Sequence, residues 1–439
     1  MNHAGLRLDQ APPLHVPLAF FATAPLFLAV AGWLLLSDGA AVFSSPWTPV
    51  TLGLTHLGTL GFLSMVMLGA LYQMTPVVAA VPVPAVRGAL GVQALVTVGA
   101  AGLAAVLAAG LGGGSAWRNG AAIVTLATGL VLVLGPVAVA LGRSRTPGET
   151  VAGMRLALAC LAVLAVLGVW MAWGYVDFRF PGSRRLWTQV HLTVALGGWV
   201  GGLVTAVSWQ VVPMFYLAAP VPQAWRRVVL GGVAIGVVAP LLVLASAHAG
   251  LPWPDPQLAA GLAALPVVLA VGWAHPLLLL GSLRARKRRR SDPSLLAWKA
   301  ALLHAFLLPP LAVAALLSAA PAPSLLFGWW AIWGWAGLVV HGMLTRIVPF
   351  LVWFHRFSPL VGLQPTPPMN RLWPEHLQQV GLSLHLASVL SGVMAIVTGW
   401  EIAARVTGGL VMATAAALAA GLYRTWRQRP TPPPENSAN

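Results

Sequence analysis

Twelve apolar stretches dominate the sequence, read at 17–37, 49–75, 88–111, 119–141, 152–174, 187–215, 228–250, 258–282, 295–319, 325–352, 377–399 and 403–423. A helix needs about 20 apolar residues to cross the roughly 30 Å hydrocarbon core of a bilayer. The pattern therefore predicts an all-α integral membrane protein with 12 transmembrane helices. Composition agrees. Only 8% of the 439 residues are charged and mean hydropathy is +0.83, whereas a soluble chain is about 25% charged. There are too few charges to coat a water-soluble fold, which excludes a soluble enzyme, a disordered chain and a nucleic-acid-binding domain. The links between stretches are short and rich in Pro, Gly and Arg, so the reading is one membrane domain over 1–439. The first stretch is followed by no small-residue cleavage site, so no removed signal peptide is expected. The single cysteine, Cys160, supplies neither a disulfide framework nor a CxxC metal site.

The basic residues predict the topology. Arg7, Arg87, Arg143, Arg145, Arg226, Arg227, the run 284–290, Lys299, Arg356, Arg371, Arg424, Arg427 and Arg429 fall on one side. Only Arg118, Arg179, Arg184, Arg185 and Arg405 fall on the other. The positive-inside bias places both termini in the cytoplasm, and the expected location is the inner membrane of a bacterium, multi-pass. The run RARKRRR then reads as an anchor beside anionic lipid headgroups, and no nucleic-acid partner is expected.

An internal repeat is visible. The second, sixth and tenth stretches carry Gly61-Phe62, Gly198-Trp199 and Gly334-Trp335. Each pair is followed by a polar residue (Gln73, Gln210, Arg346) and, three positions on, a proline (Pro76, Pro213, Pro349). The fourth, eighth and twelfth stretches end alike, at Gly142-Arg143, Gly281 to Arg284 and Gly421 to Arg424. Two landmarks at one period predict three four-helix units, about 1–149, 150–291 and 292–439, related by a pseudo-threefold axis. The second, sixth and tenth helices are expected on its inner wall. Common transporters instead use two halves or inverted pairs.

Ionisable groups in a bilayer are functional suspects. All nine acidic residues lie in links, tails or stretch ends, which argues against a carboxylate proton relay. Histidine is different. His56, His191 and His341 stand one on each inner helix, with His304 and His385 on the ninth and eleventh. Imidazole is the commonest metal ligand and an axial ligand of haem iron, and Gly58 and Gly342 beside two of them leave room for a flat macrocycle. The competing reading, hydrogen bonding to a neighbouring helix, applies most strongly to His275, His304 and His385. His355 and His376 read as interfacial, and His3, His15 and His248 as tail or loop residues.

With histidines in the second, sixth and tenth of twelve helices, the chain resembles the catalytic subunit of haem–copper oxidases and nitric oxide reductases, and the related NnrS-type haem and copper membrane proteins. The likeness is architectural and covers the whole chain. It implies haem b, with copper as a second cofactor, and a redox, nitric oxide or metal-handling role. It gives His56 the part of a low-spin haem ligand, and it gives His191 and His341 the helices that supply copper and haem ligands. It implies a protein or quinone electron donor, since no soluble domain is present, and leaves a homo-oligomer open. Several family features are absent: His341 lacks a second histidine two positions away, the paired copper histidines after the seventh helix are missing, and so is the glutamate of the sixth. An enzyme of this kind is therefore an oxidoreductase with an incomplete site and no proton pumping.

Register complicates the ligand set. His56 and His191 lie 20 and 22 residues before their prolines, but His341 only 8. At 1.5 Å per residue His341 is about 18 Å deeper. Either the helices are shifted or His56 and His341 serve different sites. Arg179, Arg184 and Arg185 are read as partners for haem propionates or as solvated loop charges. Arg346, read as the one basic residue well inside a stretch, is expected to snorkel inward. Gln73 and Gln210 are expected to satisfy carbonyls freed by the prolines. Two other functions stay open: a permease for a small neutral or anionic solute through a central path, and a non-catalytic assembly subunit.

Overall fold

A backbone in lipid must satisfy its polar groups internally, and the chain does so with helices throughout. The structure, a computed structural model, describes residues 10–110, 116–176, 182–287 and 290–430, and every element among them is helical, with no strand. Twelve helices are long and apolar enough to cross a membrane: α1 His15–Phe43, α2 Pro49–Ala79, α3 Val86–Ala108, α4 Ala116–Arg143, α5 Glu149–Gly174, α6 Arg184–Tyr216, α7 Gln223–His248, α8 Pro256–Arg284, α9 Pro293–Leu317, α10 Pro321–Arg356, α11 Glu375–Thr398 and α12 Glu401–Arg427. Each of the twelve sequence stretches lies within or overlaps one of them. Large apolar side chains such as Leu26, Val131, Ile235 and Leu303 stand exposed on their outer faces. Such a surface is unfavourable in water and suits contact with lipid.

The proline-bearing helices α2, α6 and α10 are the longest, at 31, 33 and 36 residues, and with α1 the most buried. Thr48 and Ser183 cap the starts of α2 and α6 by accepting from the amides of Thr51 and Leu186. Each of the three then widens into a π-helical stretch: Leu57–Ser64, Thr193–Gly201 and Trp330–Gly337. Each π stretch ends twelve residues before the proline of its helix, Ser64 before Pro76, Gly201 before Pro213 and Gly337 before Pro349. A π stretch leaves a helix locally wide, and proline removes a backbone donor, so these helices are distorted at matching depths.

The landmark glycines make close approaches at those stretches. A Cβ at Gly61 would stand 2.3 Å from Phe27 of α1, one at Gly198 2.7 Å from Cys160 Sγ of α5, and one at Gly334 3.4 Å from His304 of α9. The neighbour is the helix preceding the proline-bearing one in each case. Around the outside α4 packs on α5, α8 on α9, and α12 on α1. The last contact brings backbones together: a Cβ at Gly408 would stand 2.6 Å from the Gly32 carbonyl, the small-residue packing typical of membrane helices. At the centre the π stretch of α10 packs against those of α2 and α6. Trp199 Nε1 donates to Ser64 Oγ at 3.1 Å, and Phe62 meets Trp333 edge-on with ring centres 5.8 Å apart.

Charged residues secure the helix ends. Glu149 at the start of α5 accepts from Arg227 Nε at 3.0 Å and pairs with Arg226. On the opposite side Glu401 accepts from the Ala40 amide at 2.8 Å and pairs with Arg405. Arg346 is not alone inside a helix, contrary to expectation. Arg155, six residues into α5, donates from Nε and Nη2 to the Leu141 carbonyl and from Nη2 to that of Ser144. It serves carbonyls at and just beyond the end of α4, where the Leu141 carbonyl also accepts from the Ser144 amide at 3.3 Å.

Candidate functional site

The imidazoles of the proline-landmark helices fall into two groups, the half-buried His56 and His191 and the buried His341 with its partner His385. The first lies where α2 and α6 enter the π stretches. His56 is the residue before Leu57, the first of the α2 stretch, and its Nδ1 lies 2.8 Å from the Leu52 carbonyl one turn back. A carbonyl only accepts, so Nδ1 carries the proton and Nε2 keeps a lone pair. His191 stands two residues before the α6 stretch. Its Nδ1 is buried with no hydrogen-bond partner among the described residues. The ring lies against bare backbone of α5, since a Cβ at Gly168 would be 3.3 Å from Cε1. His56 and His191 thus stand at corresponding places, at the entrances to the π stretches of α2 and α6.

Arg184 closes the same end. It is the first residue of α6, and its guanidinium lies 4.8 Å from the centre of the Trp47 ring in the link before α2. Such a cation–π contact holds the entrances of α2 and α6 together. Arg185 beside it is exposed. Arg179 lies outside the described residues.

The second group joins α10 to α11. His341 Nδ1 and His385 Nδ1 are 3.2 Å apart, and His385 Nε2 is 3.0 Å from the Trp333 carbonyl. The carbonyl fixes the proton of His385 on Nε2, so its Nδ1 accepts from His341 Nδ1. Both nitrogens of His385 are thus engaged, and its ring is stacked on Trp333 at 3.8 Å. His341 keeps a lone pair on Nε2, which faces Gly381: a Cβ there would stand 3.4 Å away. His341 therefore partners His385, whereas His56 and His191 stand at the entrances to the α2 and α6 π stretches, so the register difference seen in the sequence corresponds to different places along the helices.

The remaining histidines are held singly. His304 donates from Nδ1 to the Ala300 carbonyl at 2.7 Å and stacks on Trp330. His275 Nε2 donates to Ser208 Oγ at 2.8 Å, because that hydroxyl gives its own proton to the Thr205 carbonyl. Its Nδ1 is buried with no partner among the described residues, although the sequence predicts simple hydrogen bonding for this histidine. Among the described residues no three His, Cys, Asp or Glu side chains gather closely enough to hold one metal ion.

Two polar expectations change. Arg346 is paired: Nη2 donates to Asp292 Oδ2 at 2.7 Å and the guanidinium lies over Tyr216. Gln73 does not serve a carbonyl freed by Pro76. Its amide faces a chamber between α2, α6 and α10, and its Oε1 is buried and unpartnered.

No family model and no curated protein matches the chain.

Proposed function

We propose that this chain is a haem-binding membrane protein in which His56 and His191 would hold the haem. The observation that carries the reading is the state of those rings. His56 has its Nδ1 proton fixed on the Leu52 carbonyl, which aims a free Nε2 lone pair away from its own helix. His191, two residues before the matching π stretch of α6, has a buried Nδ1 with no partner among the described residues. A metal-bound histidine commonly gives its other N–H to a carbonyl, which fixes tautomer and orientation. An unpartnered buried nitrogen costs on the order of 1–3 kcal/mol unless a ligand takes it up. The donor set thus fits a haem iron.

Haem held by both histidines would supply one-electron redox chemistry. The chain's own residues orient it. Leu52 fixes the His56 proton, Gly168 gives the His191 ring room, and Arg184 offers a planar cation at the entrance suited to a propionate. In this reading three four-helix units surround a pseudo-threefold axis, in the inner membrane of a bacterium, with both termini cytoplasmic. The likeness to haem–copper oxidases and nitric oxide reductases supports the cofactor, with copper as a second candidate. The buried pair His341–His385 stands apart from the haem ligands and positions α10 against α11.

The test is haem analysis of protein purified from haem-replete cells. Wild type is expected to carry a Soret band and about one haem per chain. His56→Ala and His191→Ala each lose most of it, while His341→Ala retains it. A haem-free wild type, or loss only in His341→Ala, overturns the assignment.

A further inference from the structure

Below the π stretches, α2, α6 and α10, with Phe21 of α1, line a partly open chamber of about 30 Å³. Its walls repeat in register. The residues two before and one after each proline line it: Met74 and Val77 in α2, Val211 and Met214 in α6, Ile347 and Phe350 in α10. The chamber therefore lies between equivalent faces of the three helices. The lining is apolar but for Gln73, whose residue is 5% exposed and whose Oε1 has no partner.

These features narrow the occupant. A buried carbonyl without a donor is costly, so the guest must give a hydrogen bond to Gln73 Oε1. The remaining surface it meets is methionine, valine, isoleucine and phenylalanine, so it must be neutral and elsewhere apolar. A water occupies at least about 10–15 Å³ by the same kind of measure, so the space admits about two heavy atoms. We propose that the chamber is a binding site for one small neutral molecule of about two heavy atoms bearing a hydroxyl or amino donor. The inference stands independently of the haem reading.

The probe is methanol. High-resolution cryo-electron microscopy of the full chain in detergent, with and without methanol in the buffer, reads the site. The expected result is two-atom density in methanol, with the hydroxyl about 3 Å from Gln73 Oε1. Gln73→Met, similar in volume but without the acceptor, is expected to lose it, and Val77→Phe, which fills the space, to exclude it. Retained thermal stability of either variant shows that the fold persists. Density that stays round in methanol marks a trapped water, an adventitious additive site only, and overturns the proposal. So does two-atom density unchanged in Gln73→Met. Haem content measured on the same samples reports on the outer histidines separately.

Discussion

At the scale of single residues, the two histidine groups differ in what their nitrogens still have to offer. His385 is fully committed, to His341 through Nδ1 and to the Trp333 carbonyl through Nε2. Replacing it with phenylalanine keeps the stack on Trp333 and strands one donor and one acceptor in the interior. Each stranded group costs on the order of 1–3 kcal/mol. His385→Phe is expected to lower Tm by several degrees in detergent while leaving haem content at the wild-type level. A loss of haem with unchanged Tm would reverse the roles of the two groups. The sequence shows which histidines stand inside helices, because each sits in an apolar run. It did not show their partners, since a pairing across α10 and α11 depends on how the helices are rotated, to which hydropathy is blind. Arg155 escaped notice for a related reason. Beside Glu149 it reads as one more charge at a helix start, and its bonds to Leu141 and Ser144 arise only once α4 and α5 turn back on each other.

At the scale of elements, glycine and proline spacing was legible and the π stretches were not. The glycine landmarks are side-chain absences at fixed distances from a proline, and a sequence displays those directly. A π stretch depends on local packing around a helix, here against Phe27, Cys160 and His304, so its position emerges only with the neighbours in place. The three glycines, equivalent in sequence, are unequal in space. A methyl group at Gly61 would collide with the Phe27 ring at 2.3 Å, one at Gly198 would press on Cys160 Sγ at 2.7 Å, and one at Gly334 would sit at an ordinary 3.4 Å from His304. Overpacking of this kind costs about 1–3 kcal/mol. Thermal unfolding in detergent is expected to rank Gly61→Ala below Gly198→Ala, with Gly334→Ala near wild type. Equal losses at all three would mean that the glycines are kept for backbone reasons and not for close approach.

At the scale of the whole molecule, topology and closure rest on different forces. Closure comes from packing: α12 lies on α1 through Gly408 and Gly32, as α4 lies on α5 and α8 on α9. Orientation comes from charge, because cationic links are retained on the cytoplasmic side. The link after α8 holds the densest basic run, whereas the link after α7 holds none. Those links therefore belong to opposite faces. Cys160, the single cysteine, is buried between helices, so the native chain gives a silent background for thiol labelling. Ala249 after α7 and Ser291 after α8 are both exposed. In intact spheroplasts a membrane-impermeant maleimide is expected to label Ala249→Cys and to leave Ser291→Cys untouched until the membrane is permeabilised. The opposite pattern would turn the molecule over. It would place the basic run outside and move the end of α6 that carries Arg184 over Trp47 to the cytoplasmic face.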